Sequence, residues 1–281
     1  MKQVHWYPGH MKKAQNEIEA KIKLVDCVIE LLDARIPFSS RNLTLYEITK
    51  AKKRLIVLTK ADLADPKMTS KWMEFFKSSG SEVIFADLNN QKDVQSIIKN
   101  AEKLGDEKHT KEIARGMKPQ PVRAMIIGIP NVGKSTLINK IAKRKAASVE
   151  NKPGHTKSQQ WIKVSKQFEL LDTPGILQSS YEDKDTAVSL ALVGSINENI
   201  LPFEELSDIL LTYLKGNYPN ELKGRYNLDK LDNDNNLILS SIAQNRGLMS
   251  KGGLDISKAQ KLLLNEFKNG KIGRISLEQP R

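Results

Sequence analysis

The chain has 281 residues, of which 39% are hydrophobic, and it carries a formal net charge of +12 at pH 7. This length predicts one large or two modest domains with a real core. No apolar run approaches the roughly 18 residues of a membrane span. The N-terminus has no apolar signal-peptide region, so we expect a cytoplasmic protein.

The basic surplus is not spread evenly along the chain. Residues 181–281 hold 13 Lys and Arg against 14 Asp and Glu, so the surplus lies in the first 180 residues. Basic surfaces attract polyanions such as nucleic acid or an acidic membrane. A solvated surface that serves solubility has the same composition, so charge alone leaves the partner open.

The first predicted elements are a basic amphipathic helix over residues 12–23 and a core strand over residues 24–32. Residues 33–37 follow the strand as Asp-Ala-Arg-Ile-Pro, and the proline ends the preceding element. Cys27, the single cysteine, lies within the strand and cannot form an internal disulfide. We predict that it packs as a small hydrophobe rather than acting as a nucleophile.

A strand predicted over residues 54–58 leads into Thr59-Lys60-Ala61-Asp62, which matches the [N/T]-K-x-D guanine box. The Asp62 carboxylate could accept hydrogen bonds from N1–H and the exocyclic amine of guanine, a donor pair that adenine lacks. The alkyl stem of Lys60 would lie along the base. Alone this tetrapeptide is a weak signal, because Lys and Asp are common at loop starts.

The next stretch predicts a helix over residues 71–77, a strand over 82–86 and a helix over 94–104. Ordinary GTPases have a second guanine-contacting box after the middle strand. By position we assign Asp87 and Leu88 to it, although the usual serine is missing. Residues 105–121 are polar and are predicted to form a joint between these elements and those that follow.

The strongest motif is the G-x-x-x-x-G-K-S phosphate loop over residues 128–135. It lies between a predicted buried strand over 124–127 and a helical pattern over 136–141. Backbone N–H groups and the helix dipole make such a loop an anion site. Lys134 would reach the β- and γ-phosphates, and Ser135 would bind Mg²⁺. The predicted nucleotide-binding residues here are Asn131, Val132, Gly133, Lys134, Ser135 and Thr136.

Residues 146–160 are polar and rich in turns, which is typical of a mobile switch loop. We expect Thr156 to bind Mg²⁺ and the γ-phosphate there, the alternative being an ordinary surface threonine. A strand pair over 161–164 and 168–171 precedes Asp-Thr-Pro-Gly at residues 172–175. Gly175 would present its N–H to the γ-phosphate, although this pattern also occurs in ordinary turns.

Beyond this point the pattern becomes helical. Helices are predicted over residues 187–196, 203–214, 237–243 and 257–267, and the one strand-like segment covers residues 273–277. Few strand-like segments occur, so residues 181–281 are predicted to form a separate, mainly helical domain.

The order of the boxes is unusual, because the guanine box precedes the D-x-P-G box here and follows it in ordinary small GTPases. Together with His-Trp-Tyr-Pro-Gly-His-Met at residues 5–11 and the stretch over 33–37, this order resembles the bacterial ribosome biogenesis GTPase A (YlqF) family over essentially the full chain. The resemblance implies a circularly permuted P-loop GTPase domain of α/β class over residues 1–180. Its sheet would be mostly parallel with helices on both faces, and a smaller, mainly α-helical domain would follow over 181–281.

The resemblance also implies an activity and partners. The chain would bind and hydrolyse GTP with Mg²⁺ and assist assembly of the large ribosomal subunit through its rRNA. Asn131 stands where related GTPases bind potassium beside the phosphates. A hydrophobic residue, Ile176, replaces the usual water-orienting glutamine, so we expect His10, in a predicted loop, to orient the water, with His155 second. Either histidine could instead be a packing or surface residue.

Two other functional classes remain open at this point. Loss of the glutamine would also suit a non-catalytic, GTP-gated RNA-binding module. A phosphate-loop kinase for a small molecule shares the G-x-x-x-x-G-K-S motif but lacks a guanine box, so Asp62 distinguishes that class.

Overall fold

A computed structural model describes residues 8–146, 161–171, 183–196 and 202–280. Within those ranges, six strands form the main sheet: β1 (Cys27–Asp33), β2 (Lys53–Thr59), β3 (Glu82–Ala86), β4 (Val122–Ile127), β5 (Trp161–Lys163) and β6 (Phe168–Leu171). Their spatial order is β3-β2-β1-β4-β6-β5. Only β5 runs antiparallel to its neighbour, which confirms the mostly parallel sheet.

Helices connect these strands and continue beyond them. Their bounds are α1 (Pro8–Lys21), α2 (Leu43–Thr49), α3 (Pro66–Ser78), α4 (Gln91–Lys103), α5 (Asp106–Ala114), α6 (Lys134–Ala146), α7 (Lys184–Leu192), α8 (Phe203–Asn217), α9 (Pro219–Tyr226), α10 (Asn235–Asn245) and α11 (Ile256–Lys268). A hairpin of two short strands, β7 (Met249–Ser250) and β8 (Gly253–Leu254), precedes α11. None of the described helices is both long and apolar enough to cross a membrane.

Helices cover both faces of the sheet. Alternate strand residues point to opposite sides, so each strand contributes to the core on both faces. On one face, Val28 and Leu32 of β1 belong to clusters that include Ile18 of α1 and Trp72 of α3. On the other face, residues of β1 such as Ile29 belong to a cluster with α4 and α6. The cluster on this other face continues without a break into buried residues of α7 to α11.

Cys27 is completely buried in β1, as predicted for a packing residue. Burial raises the pKa of its thiol to about 12. The group therefore stays protonated near neutral pH, and a thiolate nucleophile is not formed there.

Helices α1, α5 and α9 are among those that differ from the sequence prediction. Helix α1 begins at Pro8 rather than residue 12, because proline at the first turn loses no helical hydrogen bond. Helix α5 lies in the stretch predicted as a polar joint, and α9 was not predicted. Helix α9 buries Leu222 and Tyr226, four residues apart, but this pair is too short a pattern to predict a helix, and α5 has no apolar stripe. The only large apolar residue of α5, Ile113, is 61% exposed, and ion pairs from Lys53 and Lys111 hold Glu107.

The end of the chain also differs from its prediction. Residues 271–280 form neither a helix nor a strand. They run across the loops that follow β1 and β2, where the Ile275 N–H donates to the Leu63 carbonyl at 2.9 Å. The Leu277 N–H donates to the Arg35 carbonyl at 2.9 Å. Partners far away in sequence therefore decide the conformation of this segment.

Candidate nucleotide-binding site

The two motif-bearing loops meet at one edge of the sheet. Strands β2 and β4 are both parallel to β1, which lies between them, so the loops that follow them leave the sheet at its carboxyl edge. Ligands of open parallel sheets bind at that edge. The hydroxyl of Thr59, which is fully buried, donates to the Val132 carbonyl oxygen at 2.7 Å. The guanine box and the phosphate loop are therefore in direct contact.

The phosphate loop has backbone angles that depend on its glycines. Gly128 and Gly133 have φ of 153° and 111°, and Asn131 has φ of 59°. A Cβ on Gly133 would lie 2.6 Å from Leu88 Cδ1, and one on Gly128 would lie 2.8 Å from the Leu31 carbonyl. Side chains are excluded at both positions, so the backbone can approach a phosphate closely.

Lys134 is buried, and its Nζ donates to the carbonyl oxygens of Gly128 and Ile129 at 2.8 and 2.6 Å. These bonds hold the ammonium group against the loop backbone. Helix α6 begins at this residue, so its positive end and the ammonium charge lie together. The arrangement suits a polyanion such as a triphosphate.

Ser135 and Thr136 follow in the first turn of α6, and both are exposed. Among the described residues, no group of three or more His, Cys, Asp and Glu could hold a metal ion by itself. Mg²⁺ in phosphate-binding sites is typically held by few protein oxygens together with water and phosphate. An open Ser135 hydroxyl fits that requirement, so the residues present suit the predicted ion.

The loop over residues 60–65, which we name the guanine loop, begins at Lys60 with φ of 56°. Asp62 is exposed on it. Partial burial of its carboxyl group, and then the neighbouring charge of Asp87, raise the pKa of Asp62, whereas Arg35 and Arg274 oppose that rise. The two stretches assigned to guanine thus lie near each other, with Asp62 open to a base.

Lys60 is held by a buried carboxylate that the sequence analysis did not assign to the site. Its Nζ lies 2.9 Å from Oδ2 of Asp33, the last residue of β1. Arg35 donates to the same carboxylate from Nε at 3.0 Å and Nη2 at 2.8 Å. The only signal for this role was the acidic residue at a strand end in the Asp-Ala-Arg-Ile-Pro stretch.

The pKa of Asp33 has opposing causes. Burial favours the neutral acid, but the charges of Arg35 and then Lys60 outweigh burial and hold the pKa well below its usual range. Asp33 is therefore ionised and ties the lysine of the guanine box to the end of the neighbouring strand.

Asp87 and Leu88, the two residues of the second guanine stretch, differ in their contacts. The Asp87 N–H donates to Asp93 at 2.8 Å, and its own carboxylate accepts from the Asn89 N–H at 2.7 Å. Leu88 is buried, with its side chain against Gly133. The Leu88 side chain therefore packs the second guanine stretch against the phosphate loop. Its position in the sequence did not indicate this structural role.

Asn131 connects the phosphate loop to the helical part of the chain. Its side-chain Nδ2 donates to the Gly194 carbonyl oxygen, just after α7, at 2.9 Å. From the sequence, Asn131 was expected to bind the nucleotide and to lie beside potassium. The contact gives it a second role between the two parts of the chain.

The remaining predicted residues are only partly covered. His10 lies in the first turn of α1, which corrects the predicted loop, and its side chain is not among those described. Thr156, His155, Gly175 and Ile176 lie outside the described residues. Their predicted roles stay predictions.

Comparison with known families agrees with this geometry. Residues 123–240 match the family model described as "50S ribosome-binding GTPase". Ribosome biogenesis GTPase A of Bacillus cereus is 44% identical over 278 residues, which cover 99% of this chain and 94% of that protein. The protein of the same name from Thermotoga maritima is 35% identical over 98% of this chain and 94% of its own length.

Solved structures agree as well. YlqF from T. maritima bound to GNP has a TM-score of 0.62 and 29% identity, with coverage of 96% of this chain and 99% of that one. The GDP-bound form has the same score and identity, and 94% of this chain is covered. These similarities account for the permuted order of the boxes and for GTP as the hydrolysed nucleotide: the chain belongs to the ribosome biogenesis GTPase A family and is a GTPase.

Proposed function

We propose that this GTPase assists assembly of the large ribosomal subunit in the cytoplasm, where it binds rRNA or pre-ribosomal particles in a nucleotide-controlled way. The observation that carries the nucleotide site is the 2.7 Å contact between Thr59 and Val132, which joins the guanine box to the phosphate loop. The ribosomal partner is supported by the names of the relatives and by the basic surplus of residues 1–180.

Each predicted residue has a role in this proposal. Asp62 reads the guanine edge while Thr59, Lys60 and Ala61 support the base, and Asp87 and Leu88 border it. Phosphates bind the backbone and side chains of residues 131–136. Ser135 and Thr156 hold Mg²⁺, which neutralises phosphate charge when bound. Gly175 binds the γ-phosphate through its N–H group.

Exchange of Asp62 tests the guanine site. Asp62→Asn should lose affinity for GDP and gain affinity for XDP, because an amide donates to the xanthine oxygen that replaces the guanine amine. Titration of each nucleotide measures both affinities. Asp229→Asn, which changes an exposed carboxylate in the helical part of the chain, is the control and should keep the preference for GDP. An Asp62→Asn variant that still prefers GDP would mean that the base binds elsewhere.

Sedimentation tests the ribosomal partner. We expect the protein to pellet with large subunits more strongly in a non-hydrolysable GTP analogue than in GDP, and binding to weaken steeply as salt rises. The Asp62→Asn variant should pellet with large subunits in the xanthosine analogue and not in the guanosine analogue. Equal pelleting with small and large subunits, or no response to nucleotide, would contradict this partner.

Hydrolysis is proposed to depend on His10 and on potassium. An imidazole can orient water near neutral pH, and a monovalent cation beside the phosphates can neutralise developing charge. His10→Ala should slow single-turnover hydrolysis of bound GTP, and potassium should speed the wild type relative to sodium. His109→Ala, whose ring contacts the Gln120 carbonyl away from the site, serves as the control. Unchanged rates for His10→Ala, or equal rates in both salts, would remove the corresponding role.

A further inference from the structure

The guanine loop is held by the far end of the chain. Arg274 donates from Nη2 to the Ala61 carbonyl oxygen at 2.7 Å and from Nε to the Ala64 carbonyl oxygen at 3.0 Å. These two carbonyls flank Asp62 and Leu63. One guanidinium thus spans the part of the loop that carries the base-reading carboxylate.

The residues next to Arg274 continue the same contact. The Ile275 N–H donates to the Leu63 carbonyl at 2.9 Å, and the Ser276 hydroxyl accepts from the Asp65 N–H at 3.2 Å. We name residues 274–276 the C-terminal clamp. Its three consecutive residues bond four of the six residues of the guanine loop.

The helical part of the chain adds further contacts. Tyr218 donates to the Asp65 carboxylate at 3.2 Å, and a Cβ on Gly270 would lie 2.6 Å from Leu63 Cδ2. Arg35, which binds Asp33, also donates to the Lys268 carbonyl oxygen at 3.1 Å. The guanine loop therefore contacts the helical part of the chain through Leu63 and Asp65. It contacts the end of β1 through Lys60.

This support is needed because the loop itself is short of regular structure. Lys60 is in the left-handed region, where residues other than glycine are held only by their surroundings. Asp62 is exposed and can recognise a base only if the loop holds its carboxylate in one place. A hydrogen bond to a charged group loses much of its value when its geometry deviates.

We propose that the C-terminal clamp positions Asp62 for guanine, so that Arg274 is a positioning residue for base specificity. The proposal rests on the guanine site proposed above. The clamp acts on the loop backbone, and Arg274 itself need not touch the nucleotide. Its removal should therefore impair base discrimination more than phosphate binding.

The test compares GDP with IDP, which lacks only the exocyclic amine that Asp62 reads. In Arg274→Gln we expect GDP affinity to fall about tenfold and IDP affinity about threefold or less, so that the GDP preference shrinks. Arg274→Lys should recover part of the preference, because an ammonium can still reach one carbonyl. Ser276→Ala removes a single bond to the loop and should produce a smaller loss of the same kind.

Arg246→Gln is the matched control, since Arg246 donates to the Arg225 carbonyl within the helical part. It should keep the wild-type GDP to IDP ratio. If Arg274→Gln lowers the melting temperature but leaves that ratio unchanged, the clamp is only a structural brace and the proposal is wrong.

The Asp62→Asn variant separates this proposal from the one on which it rests. If that variant prefers XDP while Arg274→Gln keeps the wild-type ratio, the guanine site stands and the clamp fails. If Asp62→Asn keeps its preference for GDP, the guanine site fails and the clamp proposal fails with it.

Discussion

Asp33 combines stability and function at the scale of a single residue. Its carboxylate is fully buried and bonds Arg35 and Lys60, so it neutralises one buried cation and orients the lysine of the guanine box. A buried charge that loses its partner is costly, because the remaining charge stays out of water.

Asp33→Asn should therefore destabilise the protein. We expect the free energy of unfolding to fall by about 3 to 5 kcal/mol near neutral pH, measured by urea denaturation. The pKa of Asp33 is lower in the folded chain than its ordinary value of 3.8. Its stabilisation is therefore fully present above pH 3.8 and is lost as the pH falls through the lower, folded value. The difference in the free energy of unfolding between the wild type and Asp33→Asn should be constant above pH 3.8 and shrink below it.

The control for this change is Glu47→Gln, which removes a surface ion pair with Lys50 in which both side chains are more than half exposed. Such pairs contribute little, so its denaturation midpoint should match the wild type. A wild-type midpoint for Asp33→Asn as well would show that the buried network is not stabilising.

At the scale of elements, the turn between β4 and α6 depends on glycine. Gly133→Ala would place a methyl group 2.6 Å from Leu88 Cδ1 at a φ of 111°. Strain of this kind costs about 1 to 3 kcal/mol, so GDP affinity should fall by roughly tenfold or more. Titration with GDP measures the effect. A Leu88→Ala change in the same protein should recover the part that is due to the clash.

Gly80→Ala is the matched control for the phosphate loop. Gly80 has φ of 78°, but a Cβ there meets nothing within 4 Å, and it follows α3 away from the site. This change should lower stability and leave GDP affinity unaltered. Weakened GDP binding in both variants would point to a general loss of fold rather than to the loop.

Elements with a clear hydrophobic period were predictable from the sequence. The strand over residues 82–86 has the predicted bounds, and the strand over 54–58 extends by one residue at each end. Helix α5 was not predictable from its apolar pattern, because its single large apolar residue, Ile113, is exposed. The segment over 273–277 looked like a strand but bonds to loops instead of a sheet.

At the scale of the whole molecule, we propose that residues 1–180 and 181–281 act as two coupled domains. The boundary falls between β6 and α7, outside the described residues. One buried cluster extends from the sheet into α7 to α11, and Asn131 bonds Gly194 from within the phosphate loop. A change at the γ-phosphate could therefore reach the helical domain through the switches and through this contact.

Small-angle scattering should detect that coupling. We expect different radii of gyration with saturating GDP and with a GTP analogue, and a smaller difference in Asn131→Ala, which lacks the Gly194 contact. Asn217→Ala is the control, because that amide donates to the Tyr213 carbonyl inside the helical part. Identical scattering in both nucleotides would exclude a nucleotide-dependent domain arrangement.

The sequence by itself determined the chemistry of the two ends of the site. Phosphate binding by a glycine-bounded loop with Lys134 and guanine recognition by a T-K-x-D stretch could be predicted, because both depend on residues adjacent in the chain. Only the tertiary structure decided what holds those ends in place. Asp33 binds Lys60, and Arg274 binds the guanine loop. The buried side chain of Leu88 packs against Gly133, so all three contacts join residues that are distant in sequence. Such contacts leave no local period or spacing, since they arise only when strands and helices have packed together.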